Sequence, residues 1–390
     1  MDSVFHYHSV YFLAKHAGFS PKDAEILGVS STYVDHNLVP LHILTNGGVY
    51  ETIPTHHFGF WDKKQEESVW IPFHFFPSGS SEENPFLRSA PQGQAKNKQQ
   101  LALMVRPNSE PVKELLLEAL KTRNLYRVGI ALHTYADSWA HQGFTGTRSA
   151  HNVLSAASPV PPIGHAQAGR LPDSFFTLWT DPRRQEPIMN NPEIFRQAAQ
   201  KVYRYLSTYN HRSFADEDFV LDELMTLLGN TREMVKTYLK AFSNTALTVQ
   251  SENVMKRGVA TLSKLVINKV ADTDNLQSFL PKHVSWSSKN QTLDLDLHSD
   301  IPPYSRGTWK KQALMSDNAM FKEELNDELF EKHRDTFQWL KHEILHRSKL
   351  LEPSTIQGSA DFEQSHYFRW MEAAKNHLAC ARTIMRNALC

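Results

Sequence analysis

The sequence predicts a mainly α-helical protein. Apolar residues recur at helical spacing in four stretches, at about 110–123, 125–142, 193–280 and 308–390. Residues 38–98 are mixed, with short apolar pieces that prolines interrupt. Helix start and stop signals near the N-terminus support the same fold class.

The first helix is expected over residues 3–17, because Gly18 is a natural stop signal. The second helix is expected to begin after Ser20, a suitable N-cap, with Pro21 at its first position. It should run to about Asp35. Both helices fall within a region that is unusually rich in histidine.

The segment between Gly143 and Pro192 is expected to be a long loop, since it is rich in Gly, Pro and Ser. It nevertheless carries His165 and two aspartates beside prolines. Loops of this length are usually functional or disordered, and the polar residues favour function.

The chain is expected to divide into a metal-binding catalytic helical domain, 1–210, and a helical C-terminal region, 211–390, of unknown role. Residues 281–307 are polar and are expected to form a loop. The two cysteines, Cys380 and Cys390, are too few for a disulfide framework; they either pair or remain free thiols.

Composition excludes several classes of protein. The formal net charge is +0 and there is no long basic run, which argues against a nucleic-acid partner. The N-terminus has no basic start followed by an apolar stretch, so no signal peptide is expected. No run of 18 apolar residues predicts a transmembrane helix. We therefore expect a soluble protein, either cytoplasmic or exported without a classical signal.

Histidine is concentrated in the first part of the chain. Of the 20 histidines, 12 lie within the first 165 residues. Imidazole is the commonest metal ligand and the usual proton carrier near neutral pH. The distribution suggests metal binding or acid–base chemistry in this region.

The strongest local pattern is a helical stripe formed by His133, Asp137 and His141. Positions i, i+4 and i+8 lie on one face of an α-helix. His133 and Asp137 are about 6 Å apart along the axis, which one ion can bridge, whereas His133 and His141 are about 12 Å apart. The spacing therefore predicts at least two metal ions with Asp137 as a possible bridge. The alternative is a buried polar stripe that hydrogen-bonds to neighbouring loops.

Other candidate ligands lie far apart in the sequence, and each of them taken singly is more often structural. They are His6 or His8, Asp35, His56 or His57, His74, His165 and Asp173. Only one of His6 and His8 is expected to face a site, because positions i and i+2 of a helix point apart.

Several short motifs follow one another in a familiar order. They are Tyr33-Val34-Asp35, Thr55-His56-His57, Val69 to Phe75, His133 to Phe144, Gly164-His165 and Leu171-Pro172-Asp173. Over residues 4–180 this set resembles the zinc metallophospholipase C family of bacteria and fungi. That family is similar to the helical zinc phospholipase C and single-strand nuclease superfamily.

The resemblance implies a helical bundle around two or three zinc ions. The ligands it implies are His6, Asp35, His57 (less favoured, His56), His133, Asp137 as a bridge, His141, His165 and Asp173. His6 would stand where the better-known superfamily members use a processed N-terminal amino group. The second His-x-x-x-Glu pair of the superfamily is absent here, and His165 and Asp173 are the nearest replacement.

The activity that the resemblance implies is hydrolysis of glycerophospholipids, such as phosphatidylcholine, at a membrane surface. The products would be diacylglycerol and a phosphorylated head group, with Asp35 and Asp137 as the catalytic carboxylates. Two alternatives are a zinc nuclease or other phosphodiesterase, and a binding module with structural zinc. Nearby aromatic residues could line a lipid pocket or pack in the core: Phe58, Phe60, Trp61, Phe73, Phe75 and Phe76.

Overall fold

The protein is described by a computed structural model. It covers residues 1–56, 63–80, 82, 98–158, 160–175, 177–229, 284–285, 294–295, 301–302, 304–305, 307–314 and 353–389. These residues are mainly α-helical, as the sequence predicts. Among them, no helix combines the length and the apolar character that crossing a membrane would require.

The two N-terminal helices lie where the sequence places them. A π-helical turn, Val4–Ser9, runs directly into helix α1, Val10–His16. Helix α2, Pro21–Thr32, starts with Ser20 as its N-cap and continues as the 3-10 turn Tyr33–Asp35. The Ser20 hydroxyl oxygen accepts a hydrogen bond from the backbone N–H of Asp23, which satisfies one of the free donors at the helix start.

The mixed region that follows contains strands and short helical turns. Strands β1, Leu41–Thr45, and β2, Gly48–Glu51, form an antiparallel hairpin. The remaining elements up to residue 102 are α3, Lys63–Gln65, a π-helical turn, Glu66–Trp70, α4, Ile71–Phe73, and α5, Lys98–Ala102.

The central part of the chain is helical on both sides of a long loop. Its elements are α6, Glu110–Lys121, α7, Leu125–Ala140, the antiparallel strands β3, Leu178–Thr180, and β4, Ile188–Asn190, then α8, Asn191–Tyr209, and α9, Glu217–Gly229. The strands β3 and β4 lie within the segment predicted to be a loop, and the sequence analysis missed them. The other described parts of this segment form turns and 3-10 turns.

The C-terminal part adds a strand and a long helix. Its described elements are the two-residue strands β5, Val284–Ser285, and β6, Asp294–Leu295, then α10, Thr308–Ala313, β7, Ser354–Gln357, and α11, His366–Leu389. Strand β7 pairs in parallel with β1, with Ile356 opposite Ile43. The sequence pattern predicts neither this strand nor its partner β1. Cys380 is a free thiol, and Cys390 lies outside the described residues.

Helix α7 lies at the centre of the molecule. All its residues except Leu125 and Arg127 are buried, and it packs against α2, α6, α8 and α11. A helix that is surrounded on all sides must bury its polar residues as well as its apolar ones. The polar stripe of α7 is therefore held inside the protein. The predicted boundary after residue 210 stays a prediction, although α11 packs against α6 and α7.

The contact between α2 and α7 depends on a glycine. A methyl group at Gly129 would lie 2.5 Å from the Cβ of Ser30 and 2.7 Å from the carbonyl oxygen of Leu27. Neither a backbone atom nor a Cβ can move without moving its helix. The absence of a side chain at Gly129 thus sets how closely the two helices approach.

We expect Gly129→Ala to lower the free energy of unfolding by about 1–3 kcal/mol, because the added carbon overpacks the helix contact. Urea unfolding measures this change. In the matched control, Gly47→Ala, the added carbon meets its nearest neighbour at 3.8 Å, so the change should stay within about 0.5 kcal/mol. Equal effects of the two substitutions would contradict the close packing of α2 on α7.

Candidate metal centre

The polar stripe predicted on α7 lies in the interior. His133, Asp137 and His141 are 0%, 1% and 3% exposed. His141 is the first residue after the helix, and its backbone N–H still donates to the carbonyl of Asp137 at 2.8 Å. The three side chains thus keep helical spacing although the third stands at the helix end.

Side chains from four other segments converge on this stripe. His6 comes from the π-helical turn at the N-terminus, and Asp35 from the 3-10 turn after α2. His74 directly follows α4, and His165 and Asp173 lie in the long loop after α7. Residues that are distant in sequence therefore meet around one helix.

The first group of possible metal ligands consists of His6, His133 and Asp137. The Nε2 atoms of His6 and His133 lie 3.1 and 3.2 Å from the two carboxylate oxygens of Asp137. The two imidazole rings stack with their centroids 3.8 Å apart. The amino nitrogen of Met1 also contacts Asp137 Oδ1 and lies 3.1 Å from Asp173 Oδ1.

The second group consists of Asp35, His74 and His133. Asp35 Oδ1 lies 3.7 Å from both His74 Nδ1 and His133 Nε2, and these two nitrogens are 3.2 Å apart. His74 Nδ1 also lies 3.4 Å from Asp137 Oδ2. His133 and Asp137 therefore connect the first group to the second.

The third group consists of His141, His165 and Asp173. The Nε2 atoms of the two histidines lie 2.9 and 3.2 Å from the carboxylate oxygens of Asp173. In each of the three groups, the possible ligand atoms all lie within 4.8 Å of one another. Two ligand bonds of about 2 Å span at most about 4 Å, and the separations of 2.9 to 3.7 Å given above lie within that span.

The hydrogen bonds of the imidazole rings fit cation binding. The Nδ1 of His165 lies 2.9 Å from the carbonyl of Gly169, and the Nε2 of His74 lies 2.8 Å from that of Thr55. A carbonyl oxygen only accepts, so these nitrogens carry the proton when the ring is neutral. The opposite nitrogens then direct a lone pair at Asp173 and His133. The Nε2 of His165 and the carboxylate of Asp173 are then two acceptors that face each other, and a cation between them would match both.

The charges of the site fit the same arrangement. Burial lowers the pKa of His6, His133 and His165 to about 4, so these rings are neutral at neutral pH. Although burial opposes ionisation, the attraction of His141 and the Met1 amino group holds the pKa of Asp137 well below its usual range. Anionic carboxylates and neutral imidazoles are the protonation states that bind divalent metals.

The Met1 amino group is also charged in this environment. Burial opposes its protonation, but the carboxylates of Asp137, Asp173 and Asp35 outweigh that effect and raise its pKa to about 11. For Asp35, burial raises the pKa against the attraction of His133 and His74. The site therefore holds carboxylates whose environments differ, and Asp35 is the more easily protonated one.

Two carboxylates of the centre are partly exposed to solvent. The side chains of Asp35 and Asp173 are 27% and 23% exposed, whereas those of Asp137 and His133 are 1% and 0% exposed. A ligand from solvent would thus reach these two carboxylates before Asp137. Asp137 stands behind them as an internal residue.

The structure brings together seven of the eight ligands that the sequence analysis named. His57 lies outside the described residues, together with Phe58, Phe60 and Trp61. The neighbouring His56 belongs to none of the groups formed by described residues, although its ring centroid lies 5.2 Å from that of His74. His8 turns away, and its Nδ1 lies 3.2 Å from the carbonyl of Ser3.

His74 belongs to the second group. It is one of the candidate ligands named from the sequence, but the ligand set that the resemblance implies does not include it. The available signal was its place in the motif from Val69 to Phe75, but an isolated histidine between two phenylalanines carries no periodic pattern. The aromatic residues of this segment pack inside, as the core interpretation predicts. Phe73, Phe75 and Phe76 are buried, and Phe75 stacks on His141 with ring centroids 4.5 Å apart.

A family model matches nearly the whole chain. The family that matches residues 1–385 is described as a family of unknown function (DUF6765). No curated protein and no solved structure shows significant similarity to the chain.

We expect the purified protein to bind divalent metal and Asp137→Asn to bind fewer equivalents, because Asp137 belongs to the first group and touches the second. Elemental analysis after dialysis measures the stoichiometry. The control Asp222→Asn removes an exposed carboxylate that pairs with Arg196 and should leave the stoichiometry unchanged. Unaltered metal content in Asp137→Asn would contradict a role for this residue as a ligand.

Proposed function

We propose that this chain, which belongs to the DUF6765 family of unknown function, is a zinc-dependent phospholipase C. We infer this activity from the candidate metal centre. The proposed reaction is hydrolysis of a glycerophospholipid to diacylglycerol and a phosphorylated head group. The observation that carries the proposal is that three groups of possible metal ligands lie next to one another. Asp137 belongs to the first group and Asp173 to the third, and both contact the amino group of Met1.

The nature of the ligands supports zinc as the metal. Each group combines imidazole nitrogen with carboxylate oxygen, a set that suits zinc, whereas calcium and magnesium prefer oxygen ligands alone. Structural zinc sites are closed and usually rich in cysteine. The partial exposure of Asp35 and Asp173 therefore favours a catalytic centre over a structural one.

The number and proximity of the groups support phosphoryl chemistry. The first two groups share the Nε2 of His133, whose single lone pair binds one ion, whereas Asp137 has two carboxylate oxygens and contacts ligands of both groups. Neighbouring metal ions about 3.5–4 Å apart are typical of enzymes that displace a group at phosphorus. Bound zinc would make a water molecule acidic enough to attack at neutral pH and would offset the negative charge of the phosphate.

The chain's own residues would orient the reactants. Asp35 is partly exposed to solvent, and its Oδ1 faces His74 and His133. Its Oδ2 is then the atom that would accept the proton of the attacking water, and burial raises the pKa of this carboxyl towards the range useful for a base. Asp137, which is internal, would hold the ions rather than touch the substrate.

The remaining alternatives differ in substrate. A nuclease on this scaffold would need to attract a polyanion, and the formal net charge of +0 offers no such attraction. A binding module would hold metal without turnover. Both alternatives are outcomes of the experiment that tests the proposal.

We expect the zinc-loaded protein to release a phosphorylated head group from phosphatidylcholine vesicles, and we expect chelation to abolish this activity and added zinc to restore it. His133→Ala should lower the rate by at least about 100-fold, since His133 belongs to two groups and a lost ligand misplaces the reacting atoms. The rate of head-group release, compared with that of Asp222→Asn, is the measurement.

Single-stranded DNA is the competing substrate in the same assay. Faster cleavage of DNA than of phosphatidylcholine would replace the proposal with a nuclease. Full zinc content without turnover of either substrate would instead indicate a binding module.

A further inference from the structure

Three consecutive backbone carbonyls at the end of α4 accept hydrogen bonds from side chains. The carbonyl of Pro72 accepts from His377 Nε2 at 3.1 Å, and that of Phe73 from the hydroxyl of Thr134 at 2.9 Å. The carbonyl of His74 accepts from His141 Nδ1 at 2.8 Å. The last carbonyls of a helix have no partner within it, so these side chains determine where α4 ends.

The three side chains come from two helices. Thr134 and His141 belong to α7 and its end, while His377 lies on α11, close to the C-terminus of the chain. His377 is fully buried and its ring stacks on Phe73 with centroids 5.2 Å apart. Its Nε2 also lies 3.3 Å from the hydroxyl oxygen of Thr134, so one imidazole meets both α4 and α7.

The protonation of His377 follows from its partners. A carbonyl oxygen only accepts, so the Nε2 of His377 must carry the proton that it donates to Pro72. Burial lowers the pKa of His377 to about 3, which is consistent with a neutral ring. The donor direction of this contact is therefore fixed.

These hydrogen bonds involve residues that are adjacent in sequence to two proposed ligands, His133 and His74. Thr134 follows His133 on α7, and Phe73 precedes His74, so the bond between Thr134 and Phe73 ties the two ligand-bearing backbones together. The ligand atoms of His133 and His74 lie only 3.2 Å apart. A small shift of the segment that ends α4 would change this separation directly.

We infer that His377 is a positioning residue for the second ligand group and that, together with Thr134, it sets the place of His74 relative to His133. The inference rests on the metal-binding half of the proposed function. It gives the C-terminal helix a role at the metal centre, because α11 supplies the side chain that holds Pro72. Substitutions of residues that orient metal ligands typically weaken binding by about 10–100-fold.

The test measures zinc binding alone, by competition with a chelator, in wild type, His377→Leu, His377→Gln and Thr134→Val. We expect His377→Leu and Thr134→Val to weaken one class of zinc equivalents by about 10–100-fold and to speed its release. His377→Gln should retain most of the zinc affinity, since the glutamine amide can donate a hydrogen bond to the carbonyl of Pro72. Ser138→Ala is the control, because the hydroxyl of Ser138 donates to Tyr135 and leaves residues 72–74 untouched.

A second readout uses the zinc-free protein. Hydrogen exchange of the backbone amides of residues 70, 71 and 73–75 should be faster in His377→Leu than in His377→Gln, because loss of the donor loosens the end of α4. If His377→Leu does not fold, the same exchange rates are compared between Thr134→Val and Ser138→Ala. Faster exchange in Thr134→Val is expected, and equal rates would contradict the inference.

Two results would overturn the inference in distinguishable ways. Wild-type zinc affinity in both His377→Leu and Thr134→Val, with only a lower melting temperature, would reduce His377 to a packing residue and leave the proposed function intact. Absence of zinc binding by the wild type would instead overturn the proposed function, and this inference with it.

Discussion

A carboxylate buried at the middle of a helix requires positive charge around it, and the contacts of Asp137 meet this requirement. The side chain is 1% exposed and approaches His6, His74, His133, His141 and the amino group of Met1. An ionised carboxylate that is buried without partners costs several kcal/mol. The charged amino group of Met1 offsets part of that cost. Divalent ions among the neutral imidazoles would further balance the carboxylates of Asp137 and Asp173.

The packing of helix α7 brings these partners to Asp137. Its burial on all sides lets separate segments reach the same polar stripe, and the absence of a side chain at Gly129 allows α2, which leads to Asp35, to approach closely. The carbonyls of residues 72–74 fasten the segment that carries His74 onto α7 and α11. The position of each proposed ligand thus depends on contacts made by the fold as a whole.

Local patterns predicted the helices and the central stripe because both depend on residues that are close in sequence. The cap at Ser20 and the spacing of His133, Asp137 and His141 are visible without any tertiary information. The meeting of His165 with Asp173 was expected only from the resemblance, since their eight-residue separation in a loop has no defined geometry. The structure places both beside His141.

What the sequence could not predict depends on contacts over long distances along the chain. Strand β7 pairs with β1, from which it is separated in sequence by more than half of the chain. No local pattern predicts a partner at that distance. His74 joins the second group because side chains of α7 and α11 hold the end of α4. No neighbouring residue marks it as a ligand.

Anomalous X-ray diffraction from zinc-soaked crystals, recorded on both sides of the zinc absorption edge, tests the central claim most directly. We expect anomalous peaks within ligand distance of Asp137 and of Asp173, between the imidazoles that face them. A well-ordered crystal with no peak at either carboxylate, while the imidazoles keep their present positions, would contradict this expectation.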